Sequence, residues 1–253
     1  MGWLHDGHRS LMRRSRAENA TSLVTIFVNP RQFNEAADYT KYPRDESRDL
    51  AICEQEGVDI VFAPPVAEVY PLGFDTRVVV GAVAQPLEGA ARPRHFEGVA
   101  TVVAILFALI DADRAYFGQK DAQQLMVIRR MALDLALRTE VVGCPTVRES
   151  DGLAISSRNV HLSPAERAAA PVLHLALLSA RARWEAGERS ADALRDAMRQ
   201  TLNAEPLAEV EYVSVADGTT LEELERVGGP ALLSLAVRIG STRLIDNEQL
   251  GLT

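Results

Sequence analysis

The sequence predicts an α/β protein in two parts, a mostly parallel sheet flanked by helices and then a smaller α+β module. Three observations lead there. Short β-branched and aromatic runs alternate with helix-period segments through the first part of the chain. Beyond about residue 160 the helices become alanine-rich and strands follow strands. A length of 253 residues, with 47% hydrophobic and 25% charged, supports a core that needs no staples.

Taken in order, residues 8–19 read as a helix opening at Gly7-His8, and residues 23–28 as a buried strand closed by Asn29-Pro30. Residues 30–44 are polar and read as a loop. Residues 45–57 form a helix with an acidic first turn and a glycine stop. Residues 58–63 are the next strand, ended by Pro64-Pro65, and residues 76–81 a strand outside this rhythm. Val99, Val102, Val103, Leu106, Phe107 and Ile110 recur at helical spacing. Residues 114–117 read as a strand, Leu125, Ile128, Ala132 and Leu135 mark a helix, and residues 139–147 a strand interrupted by Pro145. The pattern divides the chain into domains 1–147 and 148–253.

In the second domain Ser163-Pro164-Ala165-Glu166 is a capping box with proline at the first helical position. It opens one long helix whose apolar face carries Leu173, Leu177, Ala180 and Trp184. A second helix carries Leu194, Ala197, Met198 and Leu202. A strand at 210–215, a helix boxed by Thr220 and Glu223, and a strand alternating as Leu233, Leu235, Val237 and Ile239 complete it.

Charge and composition exclude several classes. A net charge of −8 argues against nucleic acid as a partner. The apolar run at 99–110 is too short to span a bilayer. Cys53 and Cys144 form neither a disulfide framework nor a metal spacing, which fits a cytoplasmic setting. Walker, GxGxxG, GxSxG, CxxC and HExxH motifs are absent from the sequence.

Three loops carry chemistry. His5-Asp6-Gly7-His8 stands before a helix, where the dipole and free N–H groups bind anions. Gly118-Gln119-Lys120-Asp121 follows a strand and precedes a helix, the place where parallel sheets bind ligands. Lys120 suits phosphate; Asp121 suits a helix cap, a ribose or a metal. Gln123 and Gln124 follow in the first turn, and a buried glutamine must be paired. Ile155-Ser156-Ser157-Arg158-Asn159 offers hydroxyls and a guanidinium to phosphoryl oxygens. Two further loops, Asn29-Pro30-Arg31-Gln32-Phe33 and Arg92-Pro93-Arg94-His95-Phe96, mix polar and aromatic groups as a pocket for a small acid would. Lys41, Arg92, His95, Lys120 and Arg158 would supply a local positive field that the net charge hides.

With these stretches in this order, the chain resembles the pantoate–β-alanine ligase (pantothenate synthetase) family. The matching segments are residues 1–8, 26–33, 42–44, 92–101, 117–125, 146–149 and 156–159. His5 to His8 looks like the HxGH signature of the wider nucleotidylyltransferase group. NPxQF, FGQKDAQQ and SSRN make the resemblance specific. It implies a Rossmann-like parallel sheet with a smaller α+β lid, and a two-step reaction. Pantoate attacks the α-phosphate of ATP to give pantoyl adenylate and pyrophosphate; the amine of β-alanine then attacks the acyl carbon and releases AMP. Met1, Gly2, Trp3, Leu4, His5, Asp6, Gly7, His8, Gly118, Gln119, Lys120, Asp121, Val147, Ile155, Ser156, Ser157 and Arg158 are then expected at the ATP site. The catalytic set is His8, His5, Lys120, Ser156, Ser157 and Arg158, with His8 as proton donor; Gln32 and Gln124 hold pantoate or β-alanine. Mg²⁺ would sit on phosphates and water, with Asp49 as an outer contact and no protein metal cage. A homodimer in the cytoplasm is implied, without nucleic acid or membrane.

Three departures stand out. Arg94 replaces the glycine of the family's RPGHF, Ile155 replaces a methionine, and the chain starts inside the first motif. The family's first strand would lie upstream, so the strand at 23–28 is expected to lack a neighbour. A chain extended upstream is expected to be more stable and more active. The alternatives are another HxGH nucleotidylyltransferase and a catalytically impaired ATP-binding protein.

Overall fold

The computed structural model describes residues 2–33 and 36–251. The chain divides into two compact units, Met1–Pro145 and Thr146–Thr253.

In the first unit, helix α1 (Asp6–Glu18) leads to strand β1 (Leu23–Thr25), helices α2 (Ala36–Lys41) and α3 (Glu46–Gln55), and strand β2 (Ile60–Phe62). Helices α4 (Val66–Val69), α5 (Glu88–Ala91) and α6 (His95–Ile110) follow, then strand β3 (Arg114–Gly118), helix α7 (Ala122–Asp134) and strand β4 (Glu140–Cys144). β1 pairs parallel with β2, and β3 parallel with β4. The boundaries have local causes. Asp45 caps α3 by accepting the Arg48 N–H at 3.0 Å, and Gly57 with φ +69° turns the chain beyond its end. Leu4, Met12, Val24, Ile52 and Cys53 bury one face of α1 and α3 against β1.

Among the described residues no strand other than β2 pairs with β1, and none other than β4 with β3. Both strands, together with Met12 and Ser15 of α1 and Val99, Val102 and Val103 of α6, line one cavity of about 1080 Å³. It runs from the amino ends of the strands, at Arg114 and Glu140, to their carboxyl ends, at Gly118.

Two readings of the first unit are corrected. Residues 76–81 are not a strand: Val78 gives its N–H to the Thr101 hydroxyl of α6 at 3.0 Å, a side chain in place of a strand neighbour. Part of the expected loop at 30–44 is helical. Pro30–Gln32 is a 3₁₀ turn capped by Asn29, whose side chain accepts the Arg31 N–H. In α2, the Tyr39 ring meets Phe33 edge-on and Arg44 stacks on it at 4.5 Å.

The second unit contains helices α8 (Pro164–Ala169), α9 (Val172–Glu185) and α10 (Ala191–Asn203). Strands β5 (Ala208–Asp217), β6 (Ala231–Ile239) and β7 (Thr242–Leu250) form an antiparallel sheet in the order β5-β6-β7. Leu173, Leu177, Leu194, Met198 and Leu202 of the helices share a core with Leu233, Leu235 and Val237 of β6. β6 is central and buried on both faces, so its alternation is less telling than expected. The Ser163–Glu166 capping box forms reciprocally. The single long helix does not: Pro171 has no N–H to donate and separates α8 from α9. Residues 220–223 are not a helix: the Asp217 carboxylate takes the N–H groups of Thr219 and Thr220, and Glu223 bridges antiparallel to Ala216.

Candidate active site

The histidine pair is built by a short loop that enters α1. His5 is the N-cap, and its carbonyl accepts the His8 N–H at 2.8 Å. Its own N–H goes back to His8 Nδ1 at 3.2 Å. That bond makes Nδ1 an acceptor, so Nε2 of His8 carries the proton and is the free donor. The rings lie 4.0 Å apart between centroids. Gly7 permits this, since a Cβ there would meet the His5 ring at 3.0 Å. Burial first, then the neighbouring His5, holds His8 down at about 3. Burial and then Lys120 also lower His5. Both imidazoles are therefore neutral at pH 7, facing a lysine. His5 Nδ1 is buried at the start of α1, beside the N–H groups of its first turn.

The cavity gathers several expected residues at its carboxyl end. His8, Gln32, Gly118, Asp121 and Gln124 all line it. Residues 119–121 form a 3₁₀ turn between β3 and α7, where Lys120 Nζ lies 3.3 Å from Asp121 Oδ1. The two glutamines of α7 have separate roles. Gln123 is buried and spent on structure: its Oε1 accepts the Glu88 N–H at 3.0 Å, and its Nε2 donates to the Pro86 carbonyl at 2.7 Å. Gln124 faces the cavity.

Gln32 is held by the second pocket loop of the sequence reading, with His95 acting there as a neutral group and not as part of a positive field. His95 Nδ1 donates to the Gln32 carbonyl at 2.9 Å and Arg92 donates to the same oxygen at 3.2 Å. Burial and Arg92 lower His95 to about 4. Asn29, 2% exposed, donates to the Gly98 carbonyl at 3.0 Å. Gly98 lets the turn approach, since a Cβ there would sit 2.3 Å from the Arg31 carbonyl oxygen. The signals were present: an Asn-Pro pair opening a turn, and a lone glycine inside a helical pattern. Arg94, at the N-cap of α6, has φ +67°, which explains why glycine suits this position.

Trp3 and Leu4 give their N–H groups to Asp49, at 2.7 and 2.8 Å, and Leu4 is fully buried. Asp49 is 1% exposed with both oxygens so engaged. Gly2 precedes this loop, and Asp6 is in the first turn of α1. Met1 lies outside the described residues.

The remaining expected residues belong to the second unit. Residues 147–155 form a hairpin in which Ile155 gives its N–H to the Val147 carbonyl at 3.0 Å. Two segments eight residues apart are thus brought together. Ser156 caps the 3₁₀ turn Ser157–His161, accepting the Arg158 N–H at 3.3 Å. Asn159 donates to the Ala154 carbonyl at 3.0 Å, while its Oδ1 is buried without a partner.

A neutral histidine pair at a helix start, beside a lysine-bearing turn at the carboxyl ends of parallel strands, defines an ATP-handling enzyme of the HxGH type. The sequence matches the family model described as pantoate-beta-alanine ligase over residues 1–249. It is 64% identical over 247 residues to the pantothenate synthetase of Roseiflexus sp. (strain RS-1), covering 98% of this chain and 89% of that protein. The crystal structure of pantothenate synthetase from Thermus thermophilus matches with a TM-score of 0.96 and 49% identity, covering 100% of this chain and 91% of that one. The pantoate-beta-alanine ligase from Francisella tularensis, complexed with β-γ ATP and β-alanine, matches with a TM-score of 0.77 and 33% identity, covering 98% and 86%. The chain belongs to the pantoate–β-alanine ligase family. Its reaction is the ATP-dependent condensation of pantoate with β-alanine to pantothenate through a pantoyl adenylate, which sets aside the alternative of another HxGH nucleotidylyltransferase.

Proposed function

We propose that the carboxyl end of the cavity is where ATP and pantoate meet. The observation that carries this is the convergence of His8, Gln32, Gly118, Asp121 and Gln124 on one cavity. His5 and His8 hold the phosphates, with His8 Nε2–H as donor to the charge that develops as the pantoate carboxylate attacks the α-phosphorus. A bound triphosphate beside His8 raises its pKa and so favours the imidazolium, a charged and therefore stronger donor. Lys120 offsets phosphate charge. Gln32 and Gln124 orient pantoate, and the backbone of Gln32 is held for that task by His95 and Arg92. In the second step the amine of β-alanine attacks the acyl carbon, the acyl–phosphate bond breaks and AMP leaves. Most of the work is positioning and charge stabilisation.

Gly2 to Gly7 and Gln119 complete the proposed nucleotide site of the first unit, and Val147 and Ile155 of the second unit are proposed nucleotide contacts by the family motif. Ser156, Ser157 and Arg158 stabilise the leaving pyrophosphate, a role carried by the family motif and by the hydroxyl and guanidinium donors it supplies. Among the described residues no three His, Cys, Asp or Glu side chains group to hold a metal. Mg²⁺ therefore suits a place on the triphosphate, where it would neutralise charge. A homodimer in the cytoplasm completes the proposal; no helix of the described residues is long and apolar enough to cross a membrane.

The test is AMP formation with each substrate omitted in turn. Pantoate alone should support exchange of labelled pyrophosphate into ATP, and AMP release should require β-alanine as well. Exchange that survives replacement of both His5 and His8 would overturn the assigned site.

A further inference from the structure

Asp49 lies in the first turn of α3, 1% exposed. A carboxylate so buried must be paired, and its partners are informative. Oδ2 accepts the Trp3 N–H at 2.7 Å and Oδ1 the Leu4 N–H at 2.8 Å. Two successive N–H groups converge on one anion because Trp3 has φ +53°, a left-handed conformation that costs a bulky residue energy. Such a conformation persists only where its surroundings over-determine it. Arg48 adds to the grip: it donates to the Leu4 carbonyl at 2.8 Å, and its guanidinium lies 4.7 Å from the centre of the Trp3 ring. The next residue is His5, whose N–H selects the tautomer of His8.

We infer that Asp49 is a positioning residue for the reaction, setting the places of His5 and His8 through the Trp3–Leu4 backbone. The inference rests on the reading that these histidines hold the phosphates of ATP. A carboxylate serving only to attach α3 to the core would be replaceable by an apolar side chain of similar volume. A carboxylate setting the loop would not.

The experiment uses Asp49→Asn and Asp49→Leu in a Trp184→Phe background, which leaves Trp3 as the only tryptophan of the two. Both variants should lose about 100-fold in kcat, with the pantoate KM changed less than about threefold. The fluorescence anisotropy of Trp3 should fall, and added Mg²⁺ should not restore turnover. Combined with His8→Ala, Asp49→Asn should cost little more than His8→Ala alone, because the two act through one element. If neither Asp49 variant folds, Arg48→Ala should show a smaller loss of the same kind.

Wild-type kcat with a shifted Trp3 signal would overturn the inference, as would lost turnover with an unchanged signal. Recovery at high Mg²⁺ would make Asp49 a metal contact instead. If His8→Ala itself keeps its turnover, the phosphate-site reading fails. If His8→Ala loses turnover and Asp49→Asn does not, only the present inference fails.

Discussion

The two units use burial differently. In the second, strands of nine and ten residues and two long helices enclose one continuous apolar core. In the first, strands of three and five residues form two separate parallel pairs. Backbone strain divides the same way. Among the described residues Trp3, Leu87, Arg94, Asp111 and Ala136 of the first unit have positive φ, against Leu221 alone among the non-glycine residues of the second. Two of the five stand beside proposed site residues: Trp3 before His5, and Arg94 before His95. Burial in the second unit supplies stability; in the first it holds unfavourable conformations that aim functional groups.

Substitutions can break or sharpen that contrast. The largest effect is expected at His8. His8→Ala should lower kcat for AMP formation by about 100- to 10,000-fold, with melting temperature and pantoate KM little changed. A raised pantoate KM at unchanged kcat would contradict its role. Next is Leu233→Ala in the core of β6, where the side chain is fully buried. It should cost about 2–5 kcal/mol in denaturant unfolding and leave kcat per folded molecule unaltered. A loss of turnover beyond the unfolded fraction would mean that the core of the second unit also sets site geometry.

Acid should weaken the first unit in a readable way. Burial, then Arg92, pushes His95 down to about 4 in the folded chain, below the ordinary imidazole value of about 6.5. Between these values the unfolded chain binds the extra proton, so stability falls as pH drops through that window. His95→Asn should reduce the slope by up to about 1.4 kcal/mol per pH unit, measured by unfolding at pH 4.5, 5.5 and 6.5. An unchanged slope would mean that His95 is not held neutral. The smallest effect is expected at Arg94. Arg94→Gly relieves a left-handed residue at a cost in chain entropy, for a net gain of about 0.5–1 kcal/mol. A destabilised Arg94→Gly variant would show that the bond from Arg94 to Glu97 matters more than the backbone.

Much of this was legible in the residues. α6 and α7 follow from apolar periodicity, and the start of α8 from the Ser163–Glu166 box. The HxGH, FGQKDAQQ and SSRN motifs gave the nucleotide chemistry because they are local in sequence. What escaped was set by long-range pairing. β7 contains Asp246 and Asn247, which look like loop residues; both are buried, and Asp246 is paired with Arg148, 98 positions away. The Thr220–Glu223 box lost its N–H groups to Asp217. Asp49, read only as an acidic residue near a metal, finds its partners 45 and 46 positions upstream, beyond the reach of local pattern.

The ion pair of Arg148 with Asp246, made at 2.6 and 2.9 Å, has a consequence in time. Loops that handle ligands usually open at the fast, low-stability end of a protein's motions. Here the base of the hairpin at 147–155 is fastened to β7, so it separates only as often as that edge of the sheet does. Hydrogen exchange should therefore be slow at Ile155, on the clock of the sheet edge rather than that of a free loop.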